Sequence, residues 1–192
     1  ERYRYRYNTI TCSPEISGDG QEWQRVDDYL LNSIVRSLRK DAVKNASRTR
    51  VGELLESTFS ERVNPIEAYF RELPKPAADA DPIGDLCRTV DPVAGAEMFD
   101  KYLRKWLVGA VANVFITDRC ANQVCFILAG PQGTFKSTWI ANLCPTALLN
   151  YYIEGAIDPE NKDSIAATTA NFLYNIDDYF AAVTSKKINE LK

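Results

Sequence analysis

No histidine occurs among the 192 residues of this chain. That absence excludes the Ser–His and Cys–His pairs of many nucleophilic hydrolases, because no other side chain ordinarily titrates near neutral pH to take the nucleophile's proton. It also removes half of the usual zinc ligand set. The five cysteines stand at 12, 87, 120, 125 and 144, and even the closest two, Cys120 and Cys125, are too far apart for a standard zinc pair. An odd number without paired spacing reads as buried, reduced thiols in a cytosolic protein. Long apolar runs are missing as well. The longest, Val124 to Ala129, has strand length and falls far short of the roughly 20 residues that span a bilayer, so no membrane partner is expected. After Glu1, the first residues alternate Arg and Tyr from Arg2 to Tyr7. They lack the apolar centre of a signal peptide and read as a cut end. Positive charge is not in excess either. With a net charge of −3, any contact with nucleic acid must come from a local patch.

What is present is the composition of a globular protein, 45% hydrophobic and 26% charged. The Tyr/Arg alternation predicts a strand. The turn at Ser17, Gly18, Asp19 and Gly20 predicts a hairpin in which residues 3–11 pair with those near Trp23. Asp27 and Asp28 precede Tyr29, Leu30, Ile34, Val35 and Leu38 at helical spacing, with acids where the dipole favours them. A second helix is expected over 50–58 and a third after Asn64 and Pro65, proline being suited to the first turn. Prolines at 74, 76 and 82, with small residues between, mark an exposed connection. The expected organisation is an N-terminal α+β or helical domain over 1–73, a linker over 74–82 and a second domain over 83–192. Within the last, a long buried helix over 94–116 carries Phe99, Leu103, Trp106, Leu107, Ala110, Val111 and Val114. A strand over 123–129, a loop over 130–135 and a helix over 136–143 follow. Strands are expected at 147–153 and 171–176, the latter ending in Asp177 and Asp178. No internal repeat or low-complexity tract is visible. The fold class is therefore α/β, a C-terminal core preceded by a smaller, mostly helical domain.

The chemistry is concentrated in Gly130, Pro131, Gln132, Gly133, Thr134, Phe135, Lys136, Ser137 and Thr138. A triphosphate carries several negative charges, and a loop that cradles it must aim backbone N–H groups inward and approach closely. Glycine permits both. The following helix turns its N-terminal N–H groups toward the phosphates. Lys136 would reach the β- and γ-phosphates and the Ser137 hydroxyl would bind Mg2+, so ATP with magnesium is the expected ligand. The usual pattern has glycine before the lysine, where this chain has Phe135. A phenylalanine fits there if its backbone is right-handed helical and its ring turns away from the phosphates. An ordinary glycine turn with a surface lysine is the plainer alternative; the strand–loop–helix context favours phosphate binding. Asp177 and Asp178 end an apolar strand, which places carboxylates at the carboxyl edge of the sheet beside the loop. One would hold magnesium and the other polarise the attacking water. Acidic pairs are also common at solvated strand ends, and only the loop upstream raises this one above that.

Four stretches occur in order: 105–111, 127–139 with the loop, Lys162 and Asp163, and Tyr174 to Asp178. Together they resemble the virulence-associated E family of P-loop ATPases from phages and bacterial mobile elements, which is similar to superfamily 3 helicases and is often joined to primase domains. The resemblance covers residues 95–192 well, and less specifically the segments 5–8 and 64–66. It implies an AAA+-like ATPase core, a homo-oligomeric ring when complete, and coupling to single-stranded or duplex DNA. By position it makes Lys136 and Ser137 the phosphate and magnesium ligands and Asp177 the Walker B aspartate. Asp178 stands where the family usually has glutamate. Residues 185–192 resemble the approach to the family's later polar and arginine residues. The sequence thus reads as a truncated ATPase of low or no turnover.

The richest basic stretch holds Arg36, Arg39, Lys40, Lys44, Arg48 and Arg50, and such clusters can neutralise phosphates. Asp27, Asp28 and Asp41 dilute it, and a solvated helix face is the favoured reading. The tyrosines at 3, 5 and 7 could stack on bases, although such strands more often pack tyrosine inward. Two other functions remain: a nucleotide-dependent switch or scaffold that turns ATP over poorly, which Phe135 and Asp178 make plausible, and a small-molecule kinase, for which no lid or acceptor pocket is legible.

Overall fold

The structure, a computed structural model, describes residues 3–93, 95–116, 124–158 and 160–176. Strand β1 (Arg4–Asn8) pairs antiparallel with β2 (Ser13–Ser17), Arg4 opposite Ser17 and Asn8 opposite Ser13. The chain therefore reverses earlier than expected, at Thr9 to Cys12, because the Asn8 carboxamide oxygen accepts from the N–H groups of Ile10 (2.9 Å) and Thr11 (3.1 Å) and closes the turn itself. The glycine turn after Ser17 joins β2 to β3 (Gln24–Arg25), and β4 (Glu61–Val63) adds in parallel to β1, giving the order β3-β2-β1-β4. Alternation sorts β1 into two faces. Arg6 pairs with Glu15 at 2.6 Å and lies over the Trp23 ring at 4.2 Å, while Tyr5 meets Phe59 at 5.7 Å and packs on the helical cluster described next. Tyr5 thus packs as a core residue.

Helix α1 (Asp28–Lys40) starts where Asp27 caps it, the carboxylate accepting from Leu30 N at 2.8 Å. Helix α2 (Arg48–Leu55) begins before residue 50 because Ser47 supplies the cap. Val35, Ala46, Val51 and Leu55 bury together between them. Helix α3 (Pro65–Glu72) has Asn64 as cap and proline in its first turn. After an irregular stretch, α4 (Pro82–Cys87) leads to α5 (Ala96–Phe115), whose Leu103 is completely buried. Helix α6 (Lys136–Ala141), a 3-10 helix (Thr146–Tyr151), β5 (Tyr152–Glu154), α7 (Lys162–Thr169) and β6 (Leu173–Asn175) complete the chain, with β5 and β6 parallel.

Three differences from expectation have local causes. Most of 147–153 is 3-10 helix rather than strand, which puts Leu148 and Tyr151, three residues apart, onto one buried face. α7 carries no strong apolar period, only an Asn161 cap accepting from Asp163 N at 2.9 Å. Residues 124–130 have no regular structure, and no described strand pairs with them; Phe126 instead packs its ring against Trp106 of α5 at 5.3 Å. Cys87 and Cys144 are buried but Cys12 and Cys125 are exposed, so burial does not extend to all the thiols; Cys120 lies outside the described residues.

The main core draws on both ends of the chain. Ile66 of α3 clusters with Cys144, Leu148, Tyr151 and Leu173. Beside it, the buried Asn8 carboxamide nitrogen donates to the Tyr151 hydroxyl at 2.8 Å and to the Glu15 carboxylate at 2.7 Å. Among the described residues no helix is long and apolar enough to cross a membrane.

Candidate functional site

The loop that precedes α6 is held from below by aromatic rings. Phe126 lies 6.3 Å from Trp139, Phe99 of α5 lies 6.2 Å from the same ring, and the Trp139 indole N–H donates to the Thr89 hydroxyl at 2.8 Å. Large rings bury much surface at little rotamer cost, so this cluster seats α6 on α5 and the chain after α4. Phe99 was legible as part of a helical face; Thr89, a lone hydroxyl in an irregular segment, left no sequence signal.

Above the rings, residues 130–135 are exposed and Lys136 and Ser137 are half-buried. The Lys136 ammonium folds back over the loop, donating to the carbonyl oxygens of Gly130 (3.1 Å) and Pro131 (2.8 Å) and to the Thr134 hydroxyl (3.4 Å). Thr134 in turn donates to Pro131 O at 2.9 Å. A Cβ added to Gly130 would lie 3.9 Å from the Lys136 stem and 4.0 Å from the Thr134 hydroxyl, in ordinary contact with both. Gly133 has φ +82°, a conformation glycine adopts without strain. Gln132 and Thr138 are exposed on either side.

Phe135 corrects the expectation. Its φ of 57° and ψ of 26° are left-handed, not right-handed helical. The reason lies in the exit from the loop: Phe135 is the cap position of α6, and its carbonyl accepts from Trp139 N at 2.9 Å to start the first turn. Glycine at this place in the usual pattern thus answers a backbone need, which a side chain meets at a cost of about 1–2 kcal/mol. The ring is 78% exposed, so little packing repays that cost. The helix is also shorter than expected, ending at Ala141.

A triphosphate fits this loop in one specific sense. The ammonium is held at its mouth by neutral carbonyl oxygens, and phosphate oxygens would offer it charged acceptors in the same place. Ser137 would supply the hydroxyl for magnesium. Asp177 and Asp178, the acids expected to complete the site, lie outside the described residues, as do residues 185–192. The strand leading to them is described. β6 ends at Asn175, contacts α6, and aligns Asn175 with Glu154 of β5, whose carboxylate accepts from the Tyr152 hydroxyl at 2.8 Å. The parallel pairing brings the carboxyl ends of both strands to one edge, next to the helix that carries Lys136.

The family model of the virulence-associated protein E-like domain matches residues 82–192. No curated protein and no solved structure matches the chain.

Proposed function

This chain belongs to the virulence-associated protein E-like domain family, and from that premise we propose that it binds ATP with magnesium on the loop 130–138 and hydrolyses it as the motor of a helicase or primase-helicase. The setting would be DNA replication in a phage or mobile element, with single-stranded or duplex DNA as partner and a homo-oligomeric ring as the working form. One observation carries the reading: the Lys136 ammonium rests on the loop's own Gly130 and Pro131 carbonyls, at 3.1 and 2.8 Å. A cation so placed can move onto an incoming γ-phosphate by exchanging neutral acceptors for charged ones. The backbone N–H groups of Gly133 to Ser137 then cradle the phosphates, and the Ser137 hydroxyl orients the metal with Asp177. Ser137 and Asp177 would hold the magnesium, whose charge would offset that of the phosphates. Asp178 accepts a proton from the water it positions.

The test is a calorimetric titration of the chain with magnesium-ATP. Lys136→Ala should abolish binding while leaving the thermal melt unchanged, since the side chain bonds only exposed groups of the loop. Equal affinity in parent and variant would end the reading.

A second reading draws on Phe135. A left-handed phenylalanine at the entry to α6 strains the loop that must close on phosphate, which favours a switch or scaffold that holds ATP with little turnover. A large gain in ATP affinity or turnover in Phe135→Gly would support it, and unchanged values would support the motor.

A further inference from the structure

None of the acids that dilute the basic stretch in the sequence lines the cleft between α1 and α2. Asp27 caps α1, Asp41 follows its last turn, and Asp28 pairs with Arg48 at 2.5 Å. Between α1 and α2 there remains a cleft of about 520 Å³ lined by Asn32, Val35, Arg36, Arg39, Lys40 and Arg48, with no acid in its lining. Val35 is its buried floor. Arg39 is fixed at one wall, its Nε donating to the Ala46 carbonyl at 2.9 Å, which leaves the other guanidinium donors to the cleft. Arg36 and Lys40 stand one turn apart on α1, a spacing at which like charges repel. A chain of net charge −3 thus gathers cations at one place without local compensation beyond Asp28.

A second observation lies on the same stripe. Tyr29 is 81% exposed, and by the helical period it shares a face with Asn32, Arg36 and Lys40. A solvated aromatic ring in line with cations is the combination that holds unpaired bases: charge tracks the phosphates, and the ring takes the flat face of a base. A paired base in a duplex offers no such face.

We propose that this face of α1, with Tyr29 at one end and Arg36, Arg39 and Lys40 along the cleft, binds the backbone of a single-stranded nucleic acid and stacks an unpaired base on Tyr29. The inference rests on the nucleic-acid partner of the proposed function but not on the nucleotide loop. Binding should be tolerant of sequence, because phosphate contacts and stacking carry little base identity.

The experiment measures fluorescence anisotropy of a labelled oligothymidylate with the chain, without nucleotide, across a salt series. Arg36→Glu with Lys40→Glu should weaken binding at least tenfold at low salt. It should also flatten the log–log salt slope by about 1.4, at roughly 0.7 per lost phosphate contact on a single strand. Tyr29→Ala should weaken binding about fivefold or more with the slope unchanged, as expected for stacking. If the charge reversals disturb the fold, Arg36→Gln with Lys40→Gln removes the same contacts and should give the same loss of slope. No binding by the parent, parental affinity in both sets of variants, or capture by phosphatidylserine vesicles without capture of the oligonucleotide would overturn the inference. ATP titration of the same samples separates the two readings. A parent that binds oligonucleotide through this face but no ATP contradicts the loop alone. A parent that binds ATP while its oligonucleotide affinity ignores these variants contradicts the cleft alone.

Discussion

Phe135 is the residue at which backbone and side chain disagree. Its left-handed backbone costs about 1–2 kcal/mol relative to glycine, while glycine gives back about 0.5–1 kcal/mol through the greater freedom of the unfolded chain. Phe135→Gly should therefore stabilise the protein by a net ~0.5–1 kcal/mol, read as a higher urea midpoint. Phe135→Ala keeps the Cβ that causes the strain and loses only an exposed ring, so its midpoint should match the parent's. If alanine stabilises as much as glycine, the strain is not in the backbone. The sequence made the departure from the usual pattern visible, and it made Gly130, Gly133, Lys136 and Ser137 visible as a set. It could not give the sign of φ at 135, because that is decided by how α6 leaves the loop.

At the scale of elements, α4 and α5 are tied through one arginine. The Arg104 guanidinium meets both carboxylate oxygens of Asp81 at 2.7 and 2.6 Å and reaches Asp100 at 2.7 Å. Its hydrogen bonds, with a further one from Gly84 N, hold the Asp81 carboxyl down to about 2 from an ordinary value of 3.8. A carboxyl depressed in the folded state stabilises above its unfolded pKa, and that stability is lost as pH falls through the folded value. The gap in melting temperature between the parent and Arg104→Gln should thus be full near pH 5 and shrink as pH falls toward 2. A gap that is constant with pH would mean the arginine acts only through packing. Some capped starts were legible: Asp27 and Asn64 mark those of α1 and α3, and Pro65 fits the first turn of α3, whereas α4 and α7 went unseen although Asp81 and Asn161 cap them. Others that went unseen are set by distant partners. β4 is three residues long and exists because β1 offers it an edge, and the stretch 147–151 forms a 3-10 helix because the core takes Leu148 and Tyr151 from one side.

For the whole molecule, the link between the N-terminal sheet and the C-terminal half rests on Asn8, Tyr151 and the cluster around Ile66. Tyr151→Phe leaves one N–H of the buried Asn8 carboxamide without its acceptor, which costs about 1–3 kcal/mol. The prediction is an unfolding free energy lowered by that amount, with a lower urea midpoint, in one transition followed by tryptophan fluorescence; an unchanged midpoint would show that the link carries no stability. No local pattern announces a contact between residues 8 and 151, since neither periodicity nor capping reaches across such a separation. The loop is legible for the opposite reason, all of its chemistry lying within nine consecutive residues. Its proposed role as a phosphate cradle is tested most directly by following the backbone amide resonances of the chain by NMR while magnesium-ATP is added. Large, saturable shifts are expected at Gly133, Thr134, Lys136 and Ser137, with the stripe at Tyr29, Arg36 and Lys40 unmoved. Saturable shifts elsewhere with these four amides still, or no shifts at all, would contradict it.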